Sequence, residues 1–132
     1  MPTTSGIDVR MFSITIDCSD ADKLSDFYAN FLGWNKKISD MEKIYVSRPM
    51  HYPVLIFQQL ANYEPPMWPD EPGRQHQMIH IDFAVNDMEQ AIKKAVRYGA
   101  AMANPQYLEN RTVMIDPAGH PFYLSQRRIQ PA

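Results

Sequence analysis

A chain of 132 residues, 45% apolar and 21% charged, has the make-up of a globular protein with one modest core. Thirteen basic against fifteen acidic residues leave a net charge of −2, which gives no support for nucleic acid or an anionic membrane as a partner. No apolar run approaches the ~20 residues of a membrane span, no signal-peptide pattern opens the chain, and a lone cysteine, Cys18, excludes an intrachain disulfide and a cysteine-rich zinc site. A cytoplasmic protein is the expectation.

Residues 1–8 read as a loose arm. Residues 11–18 alternate as a strand, with Phe12, Ile14, Ile16 and Cys18 on one face and Ser13, Thr15 and Asp17 on the other. Ser19 or Asp20 can cap a helix over 20–32, in which Leu24, Phe27, Tyr28 and Phe31 share one face and after which Gly33 suits a left-handed stop. Strands are predicted near 35–39, 43–48 and 54–60, with Pro49 and Pro53 confining a loop between the last two. Residues 62–77 hold Pro65, Pro66, Pro69, Pro72 and Gly73 and read as a connector. The plan then repeats. Residues 78–85 form a strand, with Ile79, Ile81, Phe83 and Val85 on one face and His80, Asp82 and Ala84 on the other. Asp87 and Gln90 resemble a capping box opening a helix over 87–98, closed by Gly99. Strands follow near 101–103, 111–115 and 121–125, the last two joined by the turn Asp116-Pro117-Ala118-Gly119.

Each half is thus strand, helix and three strands, and one small unit is used twice. The apolar alternates face the helices, so the polar alternates face the other way, where paired halves leave a cup. Strand phase predicts that Ser13, Thr15, Gln58, His80, Asp82 and Tyr123 line it, with Tyr45 or Trp68 near its mouth. The stretches DCSDADKLSDFYANFLGW (17–34), HIDFAVND through YGA (80–100) and VMIDPAGHPFYL (113–124) resemble the vicinal oxygen chelate superfamily of glyoxalases, bleomycin resistance proteins and extradiol dioxygenases, and in particular its small glyoxalase-like domain proteins. The resemblance implies an α+β fold of two βαβββ modules, about 9–61 and 78–126, forming an eight-stranded cupped mixed sheet in one domain, and a homodimer. It also implies a divalent metal on four ligands, usually His or Gln, Glu, His and Glu. Alignment on the helix-opening aspartates and on the D-P-x-G turn puts Ser13, a residue near Ile56, His80 and Tyr123 at those positions. Only His80 is a ligand type, so no metal or other cofactor is expected, a divalent ion being the alternative.

Each candidate has a plainer reading. His80 is a base, a ligand donor or a wall residue with one backbone partner. Asp82 shares its face and can orient the imidazole. Tyr123 donates to a substrate oxygen or fills space. Asp17 is read as a binder of backbone amides, His120 as a structural hydrogen-bonding residue and Cys18 as a small buried hydrophobe. His76 and His80 lack the helix that an H-x-x-x-H zinc site needs. The expected function is binding of a small molecule. The alternatives are a lyase, isomerase or dioxygenase of glyoxalase type using His80 and Tyr123, and an interaction protein whose cup is filled by its own side chains.

Overall fold

The computed structural model describes residues 6–39 and 42–129. The expected arm lies partly outside them, and residues 6–8 join no helix or strand. Ten elements follow: β1 Ser13–Cys18, α1 Ala21–Leu32, β2 Asn35–Ile38, β3 Lys43–Arg48, β4 His51–Gln59, β5 Ile81–Val85, α2 Met88–Arg97, β6 Ala101–Met102, β7 Arg111–Ile115 and β8 Pro121–Gln126.

The eight strands form two mixed sheets of four, ordered β1-β4-β3-β2 and β5-β8-β7-β6. The first strand of each module runs parallel to its last strand, and the other pairings are antiparallel. β1 and β5 are therefore edge strands, and both border one 210 Å³ cavity. The edge carbonyl of Asp17 accepts from His120 Nε2 at 2.6 Å, so at this point β1 is met by a side chain instead of a β5 amide. The expected eight-stranded sheet is thus hydrogen-bonded as two halves across a seam.

Both helices begin as their sequences require. Asp20 and Asp87 are extended N-caps, accepting from the amides of Lys23 and Gln90. A second contact repeats with them. Gln59 Oε1 takes the first amide of α1, Ala21 N, at 2.9 Å, and Gln126 Oε1 takes that of α2, Met88 N, at 3.2 Å. Each module thus ties its helix start to the end of its own last strand. Gly33 ends α1 at φ 71, beyond the comfort of a side chain.

One apolar core runs beneath both sheets. Phe27 and Phe31 of α1 pack on Phe122 at 5.7 and 5.9 Å between ring centroids, and Tyr28 stacks on Phe57 at 5.4 Å. Burying each such ring stabilises the fold by ~1.5–3 kcal/mol. Two boundaries differ from the sequence expectation. β4 starts at His51, so the predicted loop shrinks to a turn at Pro49 and Met50, and Pro53 lies within the strand. The ladder shifts register there, which leaves a proline without an amide tolerable. β5 starts at Ile81, so His80 precedes the ladder and is free of its constraints.

Candidate functional site

Register sets the second module's side of the site. Asp82 pairs with Tyr123, and Tyr123 with Val113, so the three share the face turned away from α2. His80 lies flat on Tyr123, with ring centroids 3.8 Å apart and planes 10° from parallel. Its Nδ1 is 2.6 Å from Asp82 Oδ1. A carboxylate only accepts, so Nδ1 carries the proton and the neutral ring keeps its lone pair on Nε2. Arg111 Nη1 reaches the other Asp82 oxygen at 3.6 Å, and its guanidinium lies 5.4 Å from the Tyr123 ring centre. An ion pair this open is worth ~0–1 kcal/mol. It nevertheless puts a five-donor fork beside the imidazole.

Tyr123 itself is only 6% exposed. Trp68 meets its ring edge-on at 6.3 Å and donates from Nε1 to the Pro105 carbonyl at 3.1 Å, while Gln77 Nε2 donates to the Tyr123 hydroxyl at 3.3 Å. Tyr123, Val113, Ala103 and Trp68 therefore fill the deep part of this face with the protein's own side chains. What stays open is the rim, where the side chains of His80, Asp82 and Arg111 are 32%, 46% and 38% exposed.

On the first module, Thr15 pairs with Ile56 and Ile56 with Tyr45, a row matching Asp82–Tyr123–Val113. Asp17 pairs with Gln58, and Ser13 with Val54. Thr15 and His80 are brought together in the 210 Å³ cavity at the seam; Ser13, Tyr45, Gln58, Trp68, Asp82 and Tyr123 do not line it. Trp68 sits on the second module against Tyr123 and Tyr107, while Tyr45 stays on β3 of the first.

A buried polar junction, not foreseen as such, joins the modules beside that cavity. Asp116 is 4% exposed, and its Oδ2 accepts from Tyr28 Oη at 2.7 Å. Its Oδ1 accepts from the amides of Ala118 and His120. Burial pushes the Asp116 carboxyl up, and the nearby His120 pulls it back. Burial likewise holds the Tyr28 hydroxyl well above its ordinary value, with the Asp116 charge adding to it. Tyr63 donates to the Ala118 carbonyl at 2.7 Å and lies 3.1 Å from His120 Nε2, which holds Asp17 O. His120 thus takes the structural role that the sequence assigned it. Cys18 is fully buried and donates weakly to Gln58 O, and burial raises its thiol to about 11. Tyr63, Gln77 and Arg111 escaped the sequence reading, since their partners lie 55, 46 and 29 residues away.

The residues at the four expected metal positions do not suit a divalent ion. Ile56 is a buried aliphatic, Ser13 is neutral, the Tyr123 hydroxyl is engaged by Gln77, and the His80 nitrogen nearer Asp82 is occupied. One imidazole nitrogen does not make the several anionic or imidazole donors such an ion needs. Among the described residues no group of three or more His, Cys, Asp or Glu stands ready to hold a metal.

Comparison with known proteins agrees with this architecture. Solved structures similar to the chain include a glyoxalase-related enzyme from Fulvimarina pelagi, 17% identical with a TM-score of 0.66, covering 92% of this chain and 91% of the other. A glyoxalase/bleomycin resistance protein/dioxygenase superfamily member from Sphaerobacter thermophilus is 22% identical with a TM-score of 0.62, over 91% and 98%. TnmS3, an antibiotic binding protein from a Streptomyces species, is 15% identical with a TM-score of 0.61, over 92% and 98%. At these identities the likeness is one of fold. A comparison with curated proteins gives no match. The family model of the glyoxalase-like domain matches residues 13–125, from the start of β1 to all but the last residue of β8, and the chain therefore belongs to the glyoxalase-like domain family.

Proposed function

We propose that this protein binds small planar, oxygen-bearing molecules at His80, without the metal of its wider superfamily. The observation that carries the reading is the His80 ring, clamped from below by Tyr123 and from the side by Asp82, with its side chain still 32% exposed. A ring held in one orientation loses little entropy when a second ring stacks on its outer face. Nε2 and the Arg111 guanidinium stand ready to meet ligand oxygens. Thr15 supplies the first module's side, in the cavity it shares with His80, and Trp68 supports the platform by packing edge-on against Tyr123. The fold is shared with a protein that binds an antibiotic. A thermal-shift screen of aromatic acids, phenols and quinones should give saturable hits. His80→Ala should weaken a hit about tenfold, equal to ~1.4 kcal/mol. Hits that bind this variant as well as the parent would place the ligand elsewhere and sink the reading.

A second reading rests on the free Nε2. An imidazole oriented by a carboxylate is the usual arrangement of a general base. A metal-independent lyase or isomerase of glyoxalase type would take a substrate proton there, with Asp82 holding the tautomer. Turnover that disappears in His80→Gln but survives chelator would separate this reading from simple binding. In either case the protein acts as one domain, as a homodimer and in the cytoplasm. Support for the dimer comes from Met11, Phe12 and Tyr52, which are 65%, 59% and 66% exposed, with the Phe12 and Tyr52 rings 6.1 Å apart. Light scattering that gives a single chain mass would remove it. No helix among the described residues is long and apolar enough to cross a membrane.

A further inference from the structure

We propose that the seam between the modules binds a compact ring with a cis-amide on each of two opposite edges, the chemistry of a cyclic dipeptide (a diketopiperazine). The site is the 210 Å³ cavity between β1 and β5. Backbone groups of the two edge strands hold the ring, so its binding does not depend on the His80 imidazole.

Strand alternation supplies the hydrogen-bonding groups. Successive residues of a strand turn their N–H and C=O to opposite sides in the plane of the sheet. The carbonyls of Phe12, just before β1, and of Cys18 accept from Val54 and Leu60, so the even-numbered residues of β1 serve β4. Thr15 and Asp17 therefore face the seam. The Val85 carbonyl accepts from Arg127, so Ile81, Phe83 and Val85 serve β8, and Asp82 and His80 face the seam from the other module. Among the described residues neither β1 nor β5 has a strand neighbour on that side. Thr15, Asp17 and His80 all border the cavity.

One end of the seam already shows what bridges it. His120 of the second module sends the N–H of a flat ring to the Asp17 carbonyl at 2.6 Å. Two residues back, Thr15 turns the same pair of backbone groups to the cavity. The N–H and C=O of one extended residue stand side by side, and so do those of a cis-amide, so the two pair through two hydrogen bonds. A ring with a second cis-amide opposite the first meets the β5 side in the same way, which is strand addition reduced to a single ring. The walls agree. Ile14, Ile16, Ile81 and Phe122 are apolar, and the buried Tyr28 hydroxyl and Asp116 carboxyl are spent on each other at 2.7 Å. No lysine or arginine lines the cavity, so an anion finds no counter-charge. An apolar cavity of ~150 Å³ takes benzene. One of 210 Å³ therefore has room for one ring with its oxygens and not for a length of peptide.

Unsubstituted diketopiperazine tests this against its N,N′-dimethyl form, which keeps the ring and both carbonyls and loses both N–H groups. Titrated into ¹⁵N-labelled protein, the unsubstituted ring should move the amide signals of Thr15, Asp17 and Asp82 in a saturable way, with the dimethyl form at least tenfold weaker. Thr15→Pro removes an amide that the ladder to β4 does not use, a change that an edge strand tolerates, and should abolish the shifts at Asp17 and Asp82. Thr15→Val keeps that amide and should keep the shifts. If Thr15→Pro does not fold, the comparison of the two rings on the unaltered chain decides alone. Equal affinity for the two rings, or a loss as large in Thr15→Val as in Thr15→Pro, would overturn the proposal. So would a response that vanishes in His80→Ala, which would assign the ring to the platform.

Discussion

At the scale of single residues, position 123 decides what the second module's face can do. A carboxylate there would add an anionic donor beside His80; the phenol ring instead lies under the imidazole and turns a ligand position into a support. His80 and Asp82 were legible as a pair because strand alternation puts residues two apart on one face. That they touch, at 2.6 Å, depends on His80 lying before the ladder begins, a boundary that alternation does not mark. Arg111, Tyr63 and Gln77 carry no local signal, because register between distant strands and a connector decides their neighbours. Gly119 shows the same dependence and can be tested. It has φ +91, and a Cβ there would stand 2.7 Å from Pro65 Cβ in the connector; Gly33, at φ +71, has open space around it. Alanine at Gly33 should lose only the ~1 kcal/mol of an unfavourable backbone state. Alanine at Gly119 should lose clearly more, since backbone or connector has to move. Equal losses in urea melts would show that the connector does not press on the turn.

At the scale of elements, the helices were the most legible part. α1 starts and stops where a capping aspartate and a left-handed glycine said it would, and α2 follows the same signals to within a residue. The strands were less so. A Pro53 that reads as a loop is accommodated because β4 shifts register against β3 around it, and nothing local announces such a shift. The glutamine ties were open to discovery. Gln59 and Gln126 are 67 residues apart, as are Asp20 and Asp87, so the repeat offset alone could have found them. Each helix start now has two side chains on its first turn. Asp87→Ala should therefore cost α2 ~1 kcal/mol, the ordinary value of a cap, with Gln126 still holding Met88 N. In Asp87→Ala/Gln126→Ala the loss should exceed the sum of the single losses, because the last side-chain acceptor is then gone. Strict additivity in a double-mutant cycle would mean that the two contacts act independently.

At the scale of the whole molecule, two buried groups, the Cys18 thiol and the Tyr28 hydroxyl, and the half-buried Tyr63 hydroxyl tie its stability to alkaline pH. Burial raises Cys18 from 9.0 to about 11, and raises Tyr28 and Tyr63 from 10.0. The folded chain keeps protons that the unfolded chain releases, so stability falls as pH rises. For Cys18 its contribution is whole below 9.0 and is lost on the way to about 11; the tyrosines extend the fall upward. The urea midpoint should be level up to the start of that window and drop within it, and Tyr28→Phe should make the drop shallower. A midpoint level across the window would contradict the burial of these groups. The same junction separates the two modules in kind. Asp116 receives Tyr28, but the residue 67 places after Tyr28 is Ala95, and the one 67 places before Asp116 is Pro49. The acceptor belongs to one half and the donor to the other, so neither half can make this bond with a copy of itself. Expressed as separate polypeptides, the halves would be drawn together by the apolar core they share, and this one buried polar handshake would favour the unlike pair over either like pair.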